Sequence, residues 1–211
     1  MHHDLLLIGG GGHCKSVIDV LEKEGRYQIK GIIDVAEKAG LEVLDYPIIG
    51  TEDALPELLK TIPQCLITVG QLGKSESRLR IYRLLKKLGA KLPIIISPLA
   101  YVSPHARLGE GTVVMHQACV NAGVQIGINC IINSQALLEH DAHIGDHCHI
   151  STAATINGDC RLGDQVFVGS GARLRQGVSI TSGSLIGMGS IVLQDIAEAG
   201  TYAGIPSRRI S

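Results

Sequence analysis

Every sixth residue from Val102 to Val192 is Leu, Ile or Val, sixteen positions in succession without a miss. An α-helix would repeat near 3.6 residues and a lone strand at 2, so neither explains a period of six. That period asks for one short strand and one corner per repeat. Three such edges close a triangular coil, and successive coils stack about 4.8 Å apart through strand hydrogen bonds. The branched residue of each repeat points inward. Two residues before it the side chain is small or β-branched, as at Ala106, Thr112, Ala118, Cys130, Ala142 and Ala154. Composition agrees with such a prism: 45% of residues are apolar but only 3% are aromatic, so small branched side chains must fill the core.

The chain before this ladder has a different period. Asp4 to Ile8 is a short apolar run that ends in Gly9-Gly10-Gly11-Gly12. A helical pattern follows, with Val17, Ile18 and Leu21 on one face and Glu22, Lys23 and Glu24 on the other. Ile29–Ile33, Pro47–Gly50, Cys65–Val69 and Leu92–Ile96 read as strands, and Leu55–Leu59 and Glu76–Leu88 as helices. Gly89 supplies a stop signal for the last helix. Strands alternating with helices predict a small parallel sheet of Rossmann-like α/β type. Two domains are expected, residues 1–97 and 98–211.

The formal net charge is −1, which excludes the basic face of a general nucleic-acid or membrane-surface binder. No run approaches the ~20 apolar residues of a membrane span. The N-terminus lacks the features of a signal peptide, and none of the six cysteines is spaced CxxC. A cytoplasmic protein with reduced thiols is expected.

The segment Asn133-Ser-Gln-Ala-Leu-Leu-Glu139-His140-Asp141 carries the strongest chemical signal. The ladder puts Leu138 inside, so His140 falls at a corner, where a side chain reaches outward. Imidazole is poised to take a proton at neutral pH. A carboxylate can hold its tautomer, and either Asp141 or Glu139 is near enough in sequence. A zinc site between subunits, for carbonic-anhydrase-type hydration, is the rival reading, because His140, His143, His147 and His149 crowd together. It lacks a ligand on the next coil: the residue 18 beyond His140 is Gly158, and that beyond His149 is Phe167. The loop Gly9–Gly12 follows a strand and opens a helix, so its N–H groups could cradle a phosphate. Cys14 occupies the third glycine position of the dinucleotide fingerprint, so the loop suits a UDP pyrophosphate better than NAD. Asp34, after the second strand, is placed for a ribose or uracil contact.

The ladder resembles that of the hexapeptide-repeat acyltransferases, whose prism is a left-handed parallel β-helix. The closing Tyr202-Ala203-Gly204-Ile205-Pro206-Ser207-Arg208 resembles the segment that ends the prism in members using CoA. The opening Gly9 to Val17 resembles one subfamily, the bacterial sialic-acid O-acetyltransferases and the UDP-4-amino-sugar N-acetyltransferases (the NeuD/PglD type). The resemblance implies transfer of an acetyl group from acetyl-CoA to a sugar, with no metal, by a homotrimer. It implies His140 as base with Asp141, often Glu in the family, directly after it. It places His149 and Gly158 against the acetyl-CoA, the Gly158 N–H as an oxyanion-type contact. Gly11, Gly12, His13, Asp34, Arg78 and Asn133 match positions near the sugar nucleotide. One prism alone is expected to expose flat apolar faces, such as Leu137 and Ile131. Two further readings stand beside this one: O-acetylation of sialic acid, and a non-catalytic partner of a sugar-synthesis enzyme.

Overall fold

The computed structural model describes residues 2–71, 73 and 76–211, which fall into two compact units, 2–71 with 76–93 and 73 with 94–211. The first unit contains strand β1 (His3–Ile8), helix α1 (Gly12–Glu24), β2 (Tyr27–Ile33), β3 (Glu42–Val43), β4 (Tyr46–Gly50), the short α2 (Leu55–Leu58), β5 (Cys65–Ile67) and α3 (Glu76–Lys87). The strands lie in the order β3-β4-β2-β1-β5. The pairs β4-β2, β2-β1 and β1-β5 are parallel, and β3 closes one edge antiparallel to β4. The central strand β1 is buried from Leu5 to Ile8, as expected of a strand covered on both faces. Helix α1 turns Cys14, Val17, Ile18 and Leu21 into the core. It ends at Gly25, whose φ of 75° lets its N–H reach the Leu21 carbonyl.

The strand expected at Leu92–Ile96 does not join this sheet. Ile95–Ile96 pairs instead with Val113–Val114 and begins the second unit. A strand of two residues follows whichever edge offers it hydrogen bonds, and the prism supplies one.

The second unit is a left-handed parallel β-helix. Two-residue strands stack into three flat sheets, each strand pairing in register with the one 18 residues on, as Ile132 with Ile150 and Val120 with Leu138. The first sheet holds Ile131–Ile132 and His149–Ile150, the second Leu137–Leu138 and Thr155–Ile156, the third His143–Ile144 and Arg161–Leu162. The ladder is buried from Val114 to Val192, and only Val102 and Leu108 of the first coil are half-buried. Each interior Leu or Ile is worth about 1.5–3 kcal/mol of burial. Ala118, Cys130, Ala142, Cys148, Ala154 and Ala172 fill the space left beside them. Ile131, expected on an exposed face, is fully buried, while Leu137 is half-buried. Ile131 belongs to an outward row, Val113–Ile131–His149, that is covered along its length, whereas Leu137 lies on a more open sheet.

Candidate active site

The corner between the second and third sheets carries Glu139, His140, Asp141 and Ala142. Asp141 adopts φ 60°, the left-handed conformation that turns the chain here. In that conformation its carboxylate swings back toward the preceding residue. Oδ2 lies 3.0 Å from Nδ1 of His140, and both side chains are more than half exposed. An ionised carboxylate only accepts, so Nδ1 carries the proton and Nε2 presents its lone pair. The bond to Asp141 holds the His140 pKa above its ordinary value, and the negative charges of Asp159 and Glu139 add to the effect. Of the two acids that could orient the imidazole, Asp141 does so; Glu139 accepts from Asn121 Nδ2 at 3.0 Å. His143 closes the corner with Nδ1 on the Asp141 carbonyl, 2.9 Å.

Gly158 stands one coil beyond His140. A Cβ there would lie 2.6 Å from both Cε1 and Nε2 of the imidazole, so only glycine leaves room for the ring. The opposite edge of the third sheet shows what this corner omits. There Asp146 Oδ1 accepts the N–H of Ile128, Asp164 Oδ1 that of Asp146, and Ser182 Oγ that of Asp164. Each outward corner amide is thus capped by a side chain from the next coil. At the His140 corner the equivalent next-coil residue is Gly158, which has no side chain to give. Its own carbonyl accepts from Gly177 N at 2.9 Å.

Asn133 and His149 meet each other but not His140. Asn133 sits at the corner between the first and second sheets and places Nδ2 3.1 Å from His149 Nε2. His149, 5% exposed on the first sheet, stands edge-on to Phe167 in the next coil, with ring centroids 5.2 Å apart. The four clustered histidines of the sequence therefore scatter around the prism, on one corner (His140), the third sheet (His143), the next corner (His147) and the first sheet (His149). Among the described residues of one chain no group of three or more His, Cys, Asp or Glu could hold a metal.

In the first unit the glycine loop is held by its own neighbours. Gly9 N donates to the Ile33 carbonyl and Gly10 N to Asp34 Oδ2 at 2.6 Å. The Asp34 carboxylate also takes Val35 N and Lys38 Nζ, at 2.7 and 2.8 Å. Burial pushes its pKa up, but these three donors outweigh it and the net effect is a lowered value. Gly11 and Gly12 are exposed at the start of α1, with open space where a Cβ would be. His13 is half-buried, its Cβ close to Gly70. Arg78, expected near the sugar nucleotide, is tied to backbone. It is 1% exposed, and one of its terminal nitrogens donates to the carbonyls of Ile67 and Val69, pinning the chain that leaves β5. The spacing of Arg78, Ile81 and Leu85, the buried face of α3, carried that information.

A cleft of about 440 Å³ opens at the carboxyl ends of β1 and β2, where open α/β sheets bind ligands. Gly9, Asp34, Val35, Glu37, Asp53 and Arg80 line it, but Gly11, Gly12 and Arg78 do not. Arg80, missed by the sequence reading, forms a two-pronged ion pair with Glu52 at 2.6 and 2.7 Å.

Residues 4–85 match the family model of the PglD N-terminal domain. The whole chain is similar to an asparagine-for-histidine variant of perosamine N-acetyltransferase from Caulobacter crescentus, solved with CoA and GDP-perosamine. Identity is 33%, over 99% of this chain and 97% of that one, with a TM-score of 0.92. It is equally similar to the acetyltransferase domain of PglB from Neisseria gonorrhoeae with acetyl coenzyme A, at 34% identity, full coverage of both chains and a TM-score of 0.90. The chain belongs to the NeuD/PglD-type sugar acetyltransferase family. As a member of that family it is an acyltransferase. WeeI from Acinetobacter baumannii, at 21% identity over 99% of this chain and 100% of that one, shares the fold with a TM-score of 0.86. A search of curated protein sequences finds no match. No helix among the described residues is long and apolar enough to cross a membrane.

Proposed function

We propose that this acyltransferase moves the acetyl group of acetyl-CoA to the 4-amino group of a nucleotide-linked sugar, with His140 as general base. The observation that carries this reading is the corner where His140, Asp141 and Gly158 meet. Nε2 takes a proton from the attacking amine as its nitrogen bonds to the thioester carbonyl carbon. Asp141 holds the ring and steadies the imidazolium. Among the described residues no acceptor takes the Gly158 N–H, so it is open to the developing oxyanion. Collapse of that intermediate expels the CoA thiolate, which the imidazolium protonates. No covalent enzyme intermediate is required.

The relatives support the two substrates: one was solved with CoA and GDP-perosamine, another with acetyl coenzyme A. The cleft of the first unit gives a nucleotide a place to sit, which a free sialic acid would leave unused. The sequence reading favours UDP as the carrier; GDP belongs beside it in any assay. The separation of Asn133 and His149 from His140 supports a site shared between copies, as in the expected homotrimer. There the corner of one prism would face the Asn133–His149 edge of the next.

Thiol release from acetyl-CoA tests the reading against UDP- and GDP-linked 4-amino sugars, CMP-linked sialic acid and free sialic acid. Turnover confined to a nucleotide-linked amino sugar is expected, and His140→Ala should lower it by about 10²–10⁴-fold. Turnover confined to sialic acid, or full activity in His140→Ala, would overturn the proposal.

A further inference from the structure

The His140–Asp141 pair is bounded on both sides by glycine, and the one below it has no counterpart in the sequence reading. Gly123 lies one coil before Asp141 at the same corner position. A Cβ on Gly123 would collide with Asp141 Oδ1 and stand 3.2 Å from its Cγ. Backbone conformation does not explain this glycine by itself. Gly123 has φ 78°, but the same corner position carries Asp141 at φ 60° and Asp159 at φ 57°, so side chains are accepted in this column. What distinguishes Gly123 is the carboxylate above it. By contrast, Gly183, at another corner with φ 73°, has nothing within 4 Å of its Cβ position.

We infer that Gly123 is a positioning residue: its missing side chain is the space in which the Asp141 carboxylate lies against His140. The inference rests on the proposed role of His140, but its contact can be tested apart from it. An added methyl meets first the free end of a flexible side chain, the Asp141 carboxylate, with the Asp141 backbone nitrogen farther off at 3.3 Å. The response that disturbs the fold least is for the Asp141 carboxylate to rotate away. The coil then survives while the imidazole loses the partner that fixes its tautomer. The other charged or titratable groups around the ring are Glu139 and His143 on its own coil and Asp159 on the next. Glu139 is held by Asn121, and His143 bonds to backbone. None of them replaces the lost bond.

The experiment compares Gly123→Ala, Asp141→Asn and Gly183→Ala in the full chain, by acetyl-CoA turnover and by NMR titration of His140. Gly123→Ala should lower kcat by about tenfold or more, with KM for acetyl-CoA little changed. It should also move the His140 titration to lower pH, as Asp141→Asn should. Gly183→Ala should leave both readouts near wild type. An unshifted His140 titration in Gly123→Ala would overturn the inference. A shifted titration with full turnover in both Gly123→Ala and Asp141→Asn would uphold the contact and overturn the proposed role of His140. Should Gly123→Ala melt early, adding Asp141→Ala removes the colliding carboxylate. The double variant should then fall below Asp141→Ala alone by no more than Gly183→Ala, at a similar φ, falls below wild type, and a larger loss would also sink the inference.

Discussion

Gly158 and His140 occupy successive coils of one corner, and the imidazole covers the glycine so closely that a methyl at 158 would stand 2.6 Å from Nε2. Gly158→Ala should therefore push the ring out of place and obstruct the neighbouring amide at once. A loss of about a hundredfold in kcat is expected. The collision is with a half-exposed side chain, so the unfolding temperature should change little. Combining Gly158→Ala with His140→Ala should cost no more than His140→Ala alone, because both act on one group. An additive double variant would show that Gly158 acts independently of the histidine.

The pH dependence of turnover should follow the same corner. A general base works in its neutral form, so the rate falls as pH drops below the pKa of His140. That pKa is raised by the bond to Asp141. Asp141→Asn removes the bond and should shift the acid limb of kcat/KM to lower pH. It should also lower the plateau, by about a hundredfold, because the tautomer is no longer fixed. A limb that stays in place would mean that another group titrates.

The prism was legible because its sequence is redundant. Sixteen positions repeat one instruction, and the ladder also set the register that put His140 at a corner. What escaped was set by hydrogen bonds between distant segments. Leu92–Ile96 looked like the last strand of the first sheet, yet the two residues that do form a strand, Ile95–Ile96, carry no sign of which edge will take them. Arg78 and Arg80 lie on one helix, and the buried face was readable from Ile81 and Leu85. Arg78 was placed near the sugar nucleotide by resemblance, and a charged residue is so rarely buried that its 1% exposure was not anticipated. Its role is to tie down the Ile67 and Val69 carbonyls, and no local pattern announces that. Asn133 and His149 were placed at the substrates by resemblance alone, and within one chain Asn133 stands at another corner and His149 on the first sheet.

Asp34 makes a stability prediction whose sign follows from its bonds. Three donors, from Lys38, Val35 and Gly10, outweigh its burial and hold its folded pKa below the unfolded value. Its contribution is therefore complete above the unfolded pKa and disappears as pH falls through the folded one. At neutral pH Asp34→Asn should cost about 1.5–3 kcal/mol, the range for bonds to a charged acceptor. The gap between variant and wild type should narrow in acid, as wild-type Asp34 becomes protonated. Urea unfolding at neutral and strongly acidic pH checks this, and a gap that widens in acid would contradict the assignment.

The ladder makes a matched comparison possible within one residue type. Leu174 is fully buried and flanked in register by Ile156 and Val192, one coil on either side. Leu108 occupies the same inward position but begins its sheet, with only Ile126 beside it, and is half-buried. Leu174→Ala opens a cavity that the stacked coils cannot close without breaking strand pairing, so a loss of about 3–5 kcal/mol is expected. Leu108→Ala leaves a gap that solvent and the free end of the prism can fill, at about half that cost. Denaturant titration of the two variants reads the difference directly. Equal losses would mean that the first coil is as firmly packed as the middle of the prism.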